Sequence, residues 1–206
     1  MGQMLTVHGT TPQRRFVERA ASLLADDGVV VLPTDTCYAL TAVPGSKAAL
    51  DRISRIKGLS AERKLFSLIV PDLSDVARFA VVDNAAYRIL RRCLPGPYTF
   101  VLPATREVPR ILLVRRRTIG LRIPDHPVAR QVADLAGGAL LATSLRLPGD
   151  ERPLSEPEEI DRRVGKQVDL ILEQGHGGVE PSTLVDLTGD EPAVLRAGAG
   201  DTSIFA

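Results

Sequence analysis

The feature that most constrains this chain is the apolar run Val29-Val30-Val31-Leu32, closed at once by Pro33 and followed by Thr34-Asp35-Thr36-Cys37-Tyr38. Four β-branched or branched aliphatic residues without a polar break predict a strand buried on both faces, over 29–33. Proline offers no N–H to a sheet ladder, so the strand ends there. A strand buried on both faces needs a covering layer on each side, which points to an α/β sheet with helices. In open α/β sheets, polar ligands bind at the carboxyl ends of strands, where Thr34, Asp35 and Thr36 stand. Two readings are open: a pocket wall of hydroxyls and a carboxylate, or a turn in which these side chains bond their own backbone.

The rest of the chain supports the layered reading. Thr11-Pro12 opens a helix whose apolar positions Phe16, Ala20, Leu23 and Leu24 share a face, and Gly28 stops it. Ser46 caps a helix presenting Leu50, Ile53 and Ile56 on one side, and Asp72 and Asp83 cap two more. His126-Pro127 opens a helix carrying Val128, Val132 and Leu135, and 158–164 reads as a short helix. Strands are predicted over 65–70, 98–102, 118–123, 139–142, 168–172, 184–187 and 194–196, with a helix or extended turn over 108–114. Residues 145–157 contain Pro148, Gly149, Pro153 and Pro157 and read as an ordered loop or lid. No linker or repeat divides residues 1–206, so the prediction is one α/β domain with a twisted, open, mixed sheet.

Charge distribution says more than the formal net charge of +1. Segment 52–64 holds Arg52, Arg55, Lys57, Arg63 and Lys64 against Glu62. Segment 106–130 holds seven arginines, Arg115, Arg116 and Arg117 among them, against Glu107 and Asp125, whereas 150–161 holds six acids and only Arg152. The basic segments are either solvated helix faces or contacts for the phosphates of a nucleotide or nucleic acid. Aromatic content of 4% with no Trp argues against a binder built on stacked bases. Two cysteines, Cys37 and Cys93, form no disulfide framework, and His8, His126 and His176 lack metal-ligand spacing. The expectation is a cytoplasmic protein without a membrane span or structural metal.

Several strands end in small hydroxyls: Thr34 and Thr36, Thr143-Ser144, and Ser182-Thr183 before 184–187. Neither a phosphate-binding P-loop nor a GxGxxG occurs, so nucleotide phosphates would need side chains such as Lys57, Lys64, Arg122 and Arg196. Six blocks in order carry a resemblance: Pro33 to Tyr38; the basic stretch 57–64 before Leu65-Phe66-Ser67-Leu68; Pro95-Gly96-Pro97-Tyr98-Thr99; Thr118 to Pro127; Ala142-Thr143-Ser144; and Pro181 to Leu187 with Leu195-Arg196-Ala197-Gly198. Over about residues 14–200 the chain resembles the YrdC/TsaC family of threonylcarbamoyl-AMP synthases.

The resemblance implies a YrdC-like twisted open sheet around a large basic concave cavity. It implies the joining of L-threonine, bicarbonate and ATP, the latter with Mg²⁺ as the substrate complex, into threonylcarbamoyl-AMP for tRNA N6-threonylcarbamoyladenosine modification. It places Thr34, Thr36, Lys64, Thr143 and Ser182 near L-threonine, and Lys57, Thr118, Arg122, Ser144 and Arg196 near the nucleotide (ATP or AMP). Family association with double-stranded RNA or tRNA makes Arg52, Arg55, Arg63, Arg115, Arg116 and Arg117 candidate RNA contacts.

Two departures are informative. The basic loop reads Lys57-Gly58-Leu59 where a Lys-x-Arg pattern is usual, and Leu145-Arg146 follows Thr143-Ser144 where Ala-Asn is usual. A lost hydrogen bond to a charged group costs roughly 1.5–3 kcal/mol. These departures, with Val81-Val82-Asp83-Asn84-Ala85 and Lys166-Gln167-Val168-Asp169-Leu170-Ile171, resemble the YciO-like branch. The expectation is RNA binding with weak or altered synthase activity; the alternatives are a fully active synthase and a non-catalytic small-ligand binder.

Overall fold

The computed structural model describes residues 3–59, 66–113 and 117–205. Ten strands form one sheet: β1 (Gln3–Thr6), β2 (Val30–Leu32), β3 (Ala39–Ala42), β4 (Ser67–Ile69), β5 (Tyr98–Pro103), β6 (Thr118–Arg122), β7 (Leu140–Ser144), β8 (Leu170–Glu173), β9 (Thr183–Asp186) and β10 (Ala193–Arg196). Their order across the sheet is β1-β8-β2-β3-β7-β4-β6-β5-β9-β10. The pairs β1/β8, β2/β8, β4/β6 and β5/β9 are parallel and the other five antiparallel, so the sheet is mixed as expected.

Among the described residues six helices accompany it: α1 (Arg14–Ala25), α2 (Lys47–Ile56), α3 (Val76–Phe79), α4 (Asn84–Cys93), α5 (Pro127–Leu135) and α6 (Pro157–Val164). At α2 and α4 the helix start follows its cap residue. Ser46 Oγ accepts from the Ala49 N–H at 3.2 Å, and Asp83 Oδ1 from the Ala86 N–H at 2.8 Å. Asp72 also accepts a backbone bond, from Ser74 N–H, but the turn it opens is 3-10 (Leu73–Asp75) and runs into the four-residue α3. Among the described residues of 108–114, Arg110–Leu112 form a 3-10 turn.

Strand alternation sorts the core into two layers. On one face, Val31, Leu40, Leu68, Leu141, Leu121, Phe100 and Val185 pack in a common core with Leu50 and Ile53 of α2, Leu90 of α4 and Ile160 of α6. On the other, Val30, Leu32, Leu170, Leu172, Ile69 and Leu140 meet Val17, Ala20 and Leu24 of α1 and Val128 and Val132 of α5. Each such fully buried aliphatic side chain contributes about 1.5–3 kcal/mol. The buried strand residues of the second layer come from β8, β2, β7 and β4, with Leu5 of β1 packed against them. Over β6, β5 and β9 the same sheet face carries Thr118, Gly120, Arg122, Thr99, Val101, Leu184 and Asp186, and there a cavity opens.

Two strands were not anticipated. β1 is a four-residue edge strand, mostly exposed, whose ladder comes from β8, more than 160 residues away in sequence. β3 is Ala-Leu-Thr-Ala, weak in intrinsic strand preference, and is held by burial between β2 and β7.

Candidate functional site

The cavity has a volume of about 360 Å³, and alternate residues of the central strands supply its floor. Gly120 on β6 pairs with Ser67 on β4, and a Cβ there would lie 3.3 Å from both Ser67 Cβ and Thr99 Cγ2. A side chain would therefore fill the middle of the floor. The cavity lies on the face of the sheet, and of the stretch 34–38 that follows the 29–33 strand it is Cys37 that lines it.

The rim is polar. Six residues singled out in the sequence line the cavity: Thr143, Ser182, Thr118, Arg122, Ser144 and Arg196. Ser182 Oγ and Thr99 Oγ1 share a hydrogen bond of 2.7 Å, while Arg196 Nη2 donates to the Ser182 carbonyl at 2.7 Å. Lys57, at the C-terminal end of α2, donates through Nζ to the Ser144 carbonyl at 2.6 Å. Thr34 and Thr36 stand behind the lining. Thr34 Oγ1 donates to the Cys37 carbonyl at 2.7 Å and accepts from the Thr36 and Cys37 N–H groups, forming a hydroxyl-closed turn. Thr36 Oγ1 accepts from Arg122 Nη2 at 2.7 Å, and Asp35 Oδ1 forms an ion pair with that same nitrogen. The turn thus backs the cavity through Arg122.

Behind the motif, Tyr38 OH donates to the Gly175 carbonyl and accepts from the Gln174 N–H. Burial pushes its hydroxyl up to about 12. The strap following β8 lies directly on the motif, since a Cβ on Gly178 would overlap the Thr36 carbonyl oxygen.

Electrostatics bind these groups into one cluster. Burial first, then repulsion from Arg146, pushes Lys57 down to about 8. Arg196 is lowered by burial, with Arg146 and Arg122 adding repulsion. Burial raises the Cys37 thiol, against the pull of Arg122, Lys57 and Arg196. Cations whose charged forms are disfavoured in the free protein are the groups an anion would stabilise. Asp186 is the acid of the lining. Among the described residues no three His, Cys, Asp or Glu side chains group as metal ligands, and no helix is long and apolar enough to cross a membrane.

The two departures have distinct placements. Leu59 packs partly buried against the larger core, its N–H bonded to the Ser54 carbonyl at 2.9 Å. Gly58 before it takes a φ of +60°, and a Cβ there would lie 2.7 Å from Pro148 Cγ. Arg146 is exposed. The loop 145–157 is anchored: Leu145 and Leu154 are buried and bonded through their backbones, and Asp150 accepts from Arg163 at 3.0 Å.

Other candidates lie elsewhere. Arg52 pairs with Asp169, which also accepts from Val29 N–H, so it braces the entrance to β2. Arg55 and Arg117 are exposed. Arg63, Lys64, Arg115 and Arg116 lie outside the described residues. Sequence reasoning missed Cys37, Ser67, Thr99, Gly120 and Asp186 as lining residues. The signal was the alternation of Thr118, Gly120 and Arg122 with Ile119 and Leu121.

Comparison with known proteins agrees with this fold. The Sua5/YciO/YrdC family model, described as telomere recombination, matches residues 22–198. The crystal structure of E. coli YciO covers all of this chain and is itself fully covered, at 43% identity and a TM-score of 0.95. A threonylcarbamoyl-AMP synthase of Halorhodospira halophila is 34% identical over 176 residues, 85% of this chain and 90% of its own. The crystal structure of P. abyssi Sua5 complexed with L-threonine aligns at 25% identity and a TM-score of 0.85, over 95% of this chain and 57% of that one.

Proposed function

The chain belongs to the Sua5/YciO/YrdC family, and on that premise we propose that its cavity binds L-threonine with an adenine nucleotide and forms threonylcarbamoyl-AMP weakly or in altered form. The neutral amine of threonine would attack the carbon of bicarbonate, forming a carbamate as water leaves, and a carbamate oxygen would then attack the α-phosphorus of ATP as pyrophosphate leaves. Charge developing on the phosphates would meet Lys57, Arg122 and Arg196, with Mg²⁺ arriving as part of the ATP substrate. Threonine would sit toward Thr143 and Ser182. The likeness to a threonine-bound Sua5 supports the amino-acid half of this reading.

The observation that carries the weak or altered activity is the placement of Leu59. Its side chain packs against the core, so this position offers no cation to a phosphate. A second reading, a fully competent synthase, draws on Arg146. That guanidinium lies within electrostatic reach of Lys57 and Arg196 and would replace the missing charge. Pyrophosphate release with threonine, bicarbonate, ATP and Mg²⁺, run beside a relative named as a synthase, separates the two. Turnover at least a hundredfold slower supports the first reading, and turnover within tenfold supports the second.

Double-stranded RNA or tRNA is the macromolecular partner in this proposal, bound by the basic segments 52–64 and 106–130 in the cytoplasm. Arg55 and Arg117 are the exposed cations that support it. Affinity should fall by roughly one log unit per log of salt for each phosphate contact. A salt-independent affinity would remove RNA from the proposal.

A further inference from the structure

Asp35 makes no contact that a ligand site requires of it, yet it sits almost buried beside the cavity. Its side chain is 11% exposed and that of its partner Arg122 9%. A pair buried for stability alone gains most from two parallel N–H···O bonds with its remaining lone pairs satisfied. This pair has neither. Asp35 engages through Oδ1 only, and Asp35 Oδ2 and Arg122 Nε are buried without partners. Every acceptor that Arg122 meets among the described residues meets Nη2: Asp35 Oδ1, Thr36 Oγ1 at 2.7 Å and, at 3.4 Å, Thr34 Oγ1. One corner of the guanidinium is held by three oxygens while Nη1 meets no acceptor among the described residues, on a residue that lines the cavity.

We propose that Asp35 is a positioning residue. With the Thr36 hydroxyl it clamps Nη2 of Arg122, so that the rest of the guanidinium is presented to an anionic group of the ligand. This explains why a Thr-Asp-Thr turn at the end of β2 touches the cavity only through a side chain of β6. It rests on the reading of the cavity as a nucleotide site for the identity of the anion, and on geometry alone for the clamp.

The test pairs a ligand measurement with one that needs no ligand. Hydrogen exchange at Arg122 Nε, followed by ¹⁵N NMR of the full chain, reports the clamp; calorimetric titration with AMP reports its use. Asp35→Ala should speed that exchange at least tenfold and weaken AMP at least tenfold. Asp35→Asn keeps an acceptor oxygen and should hold both within threefold of wild type. If Asp35→Ala does not fold, Thr36→Val, which removes the second clamp, should speed the exchange at least threefold. Exchange unchanged in the folded variants overturns the clamp, and unchanged AMP affinity in Asp35→Ala overturns its role in ligand binding. Wild-type protein that binds no AMP defeats the nucleotide reading, and the exchange data then decide the clamp by themselves.

Discussion

Lys57 is the group whose protonation should control anion binding in the cavity. Burial and the neighbouring Arg146 lower its pKa from 10.5 to about 8. In the free protein the charged form is therefore disfavoured, and an anion at Nζ reverses this by favouring the proton. If AMP binds through protonated Lys57, its apparent dissociation constant scales with one plus the ratio of neutral to charged lysine. At pH 7 that factor is about 1.1 and at pH 9 about 11, so affinity should fall about tenfold over two pH units. The AMP phosphate is dianionic across this range, and burial holds the Cys37 thiol above its ordinary value of 9. Titrations in buffers of different ionisation enthalpy should also show about half a proton taken up per AMP at pH 8. Lys57→Arg keeps the charge at all these pH values and should flatten the profile. A wild-type profile already flat from pH 7 to 9, or one unchanged by Lys57→Arg, would show that the Lys57 proton does not control anion binding.

Further outcomes follow from the same geometry. Gly120→Val puts three carbons into the cavity floor against Ser67 and Thr99; AMP and threonine binding should be lost, at about 1–3 kcal/mol of stability by urea titration. Leu141→Ala, in the core on the opposite sheet face, should cost about 2–5 kcal/mol by the same titration, with ligand affinity in the remaining folded protein unchanged. Asp83→Ala removes the cap of α4 and should cost about 1 kcal/mol without affecting the cavity. Replacing Arg115, Arg116 and Arg117 with Ala should flatten the salt dependence of RNA binding; an unchanged slope returns them to solvent.

Much of the fold was legible because its signals are local. Ser46, Asp83 and the Pro127 start each announced a helix where one forms, and Val29–Leu32 announced a strand with a covering layer on each face. What escaped was set by partners distant in sequence. β1 takes its ladder from β8, and β3 becomes a strand only through burial between β2 and β7. The site divides in the same way. Hydroxyls at strand ends pointed to Thr143, Ser144 and Ser182, whereas the pairing of Asp35 with Arg122 spans 87 residues and no spacing rule predicts it. Leu59 was legible as a missing cation, but that its side chain turns into the core is a fact of packing.

Ligand should bind on the sheet face left open over β6, β5 and β9. The most direct test is a crystal structure of the protein with L-threonine and AMP at saturating concentration. The account predicts density above Gly120, with the phosphate beside Lys57, Arg122 and Arg196 and the amino acid toward Thr143 and Ser182. Ligand seated away from this face, or an empty cavity under saturating conditions, would contradict it.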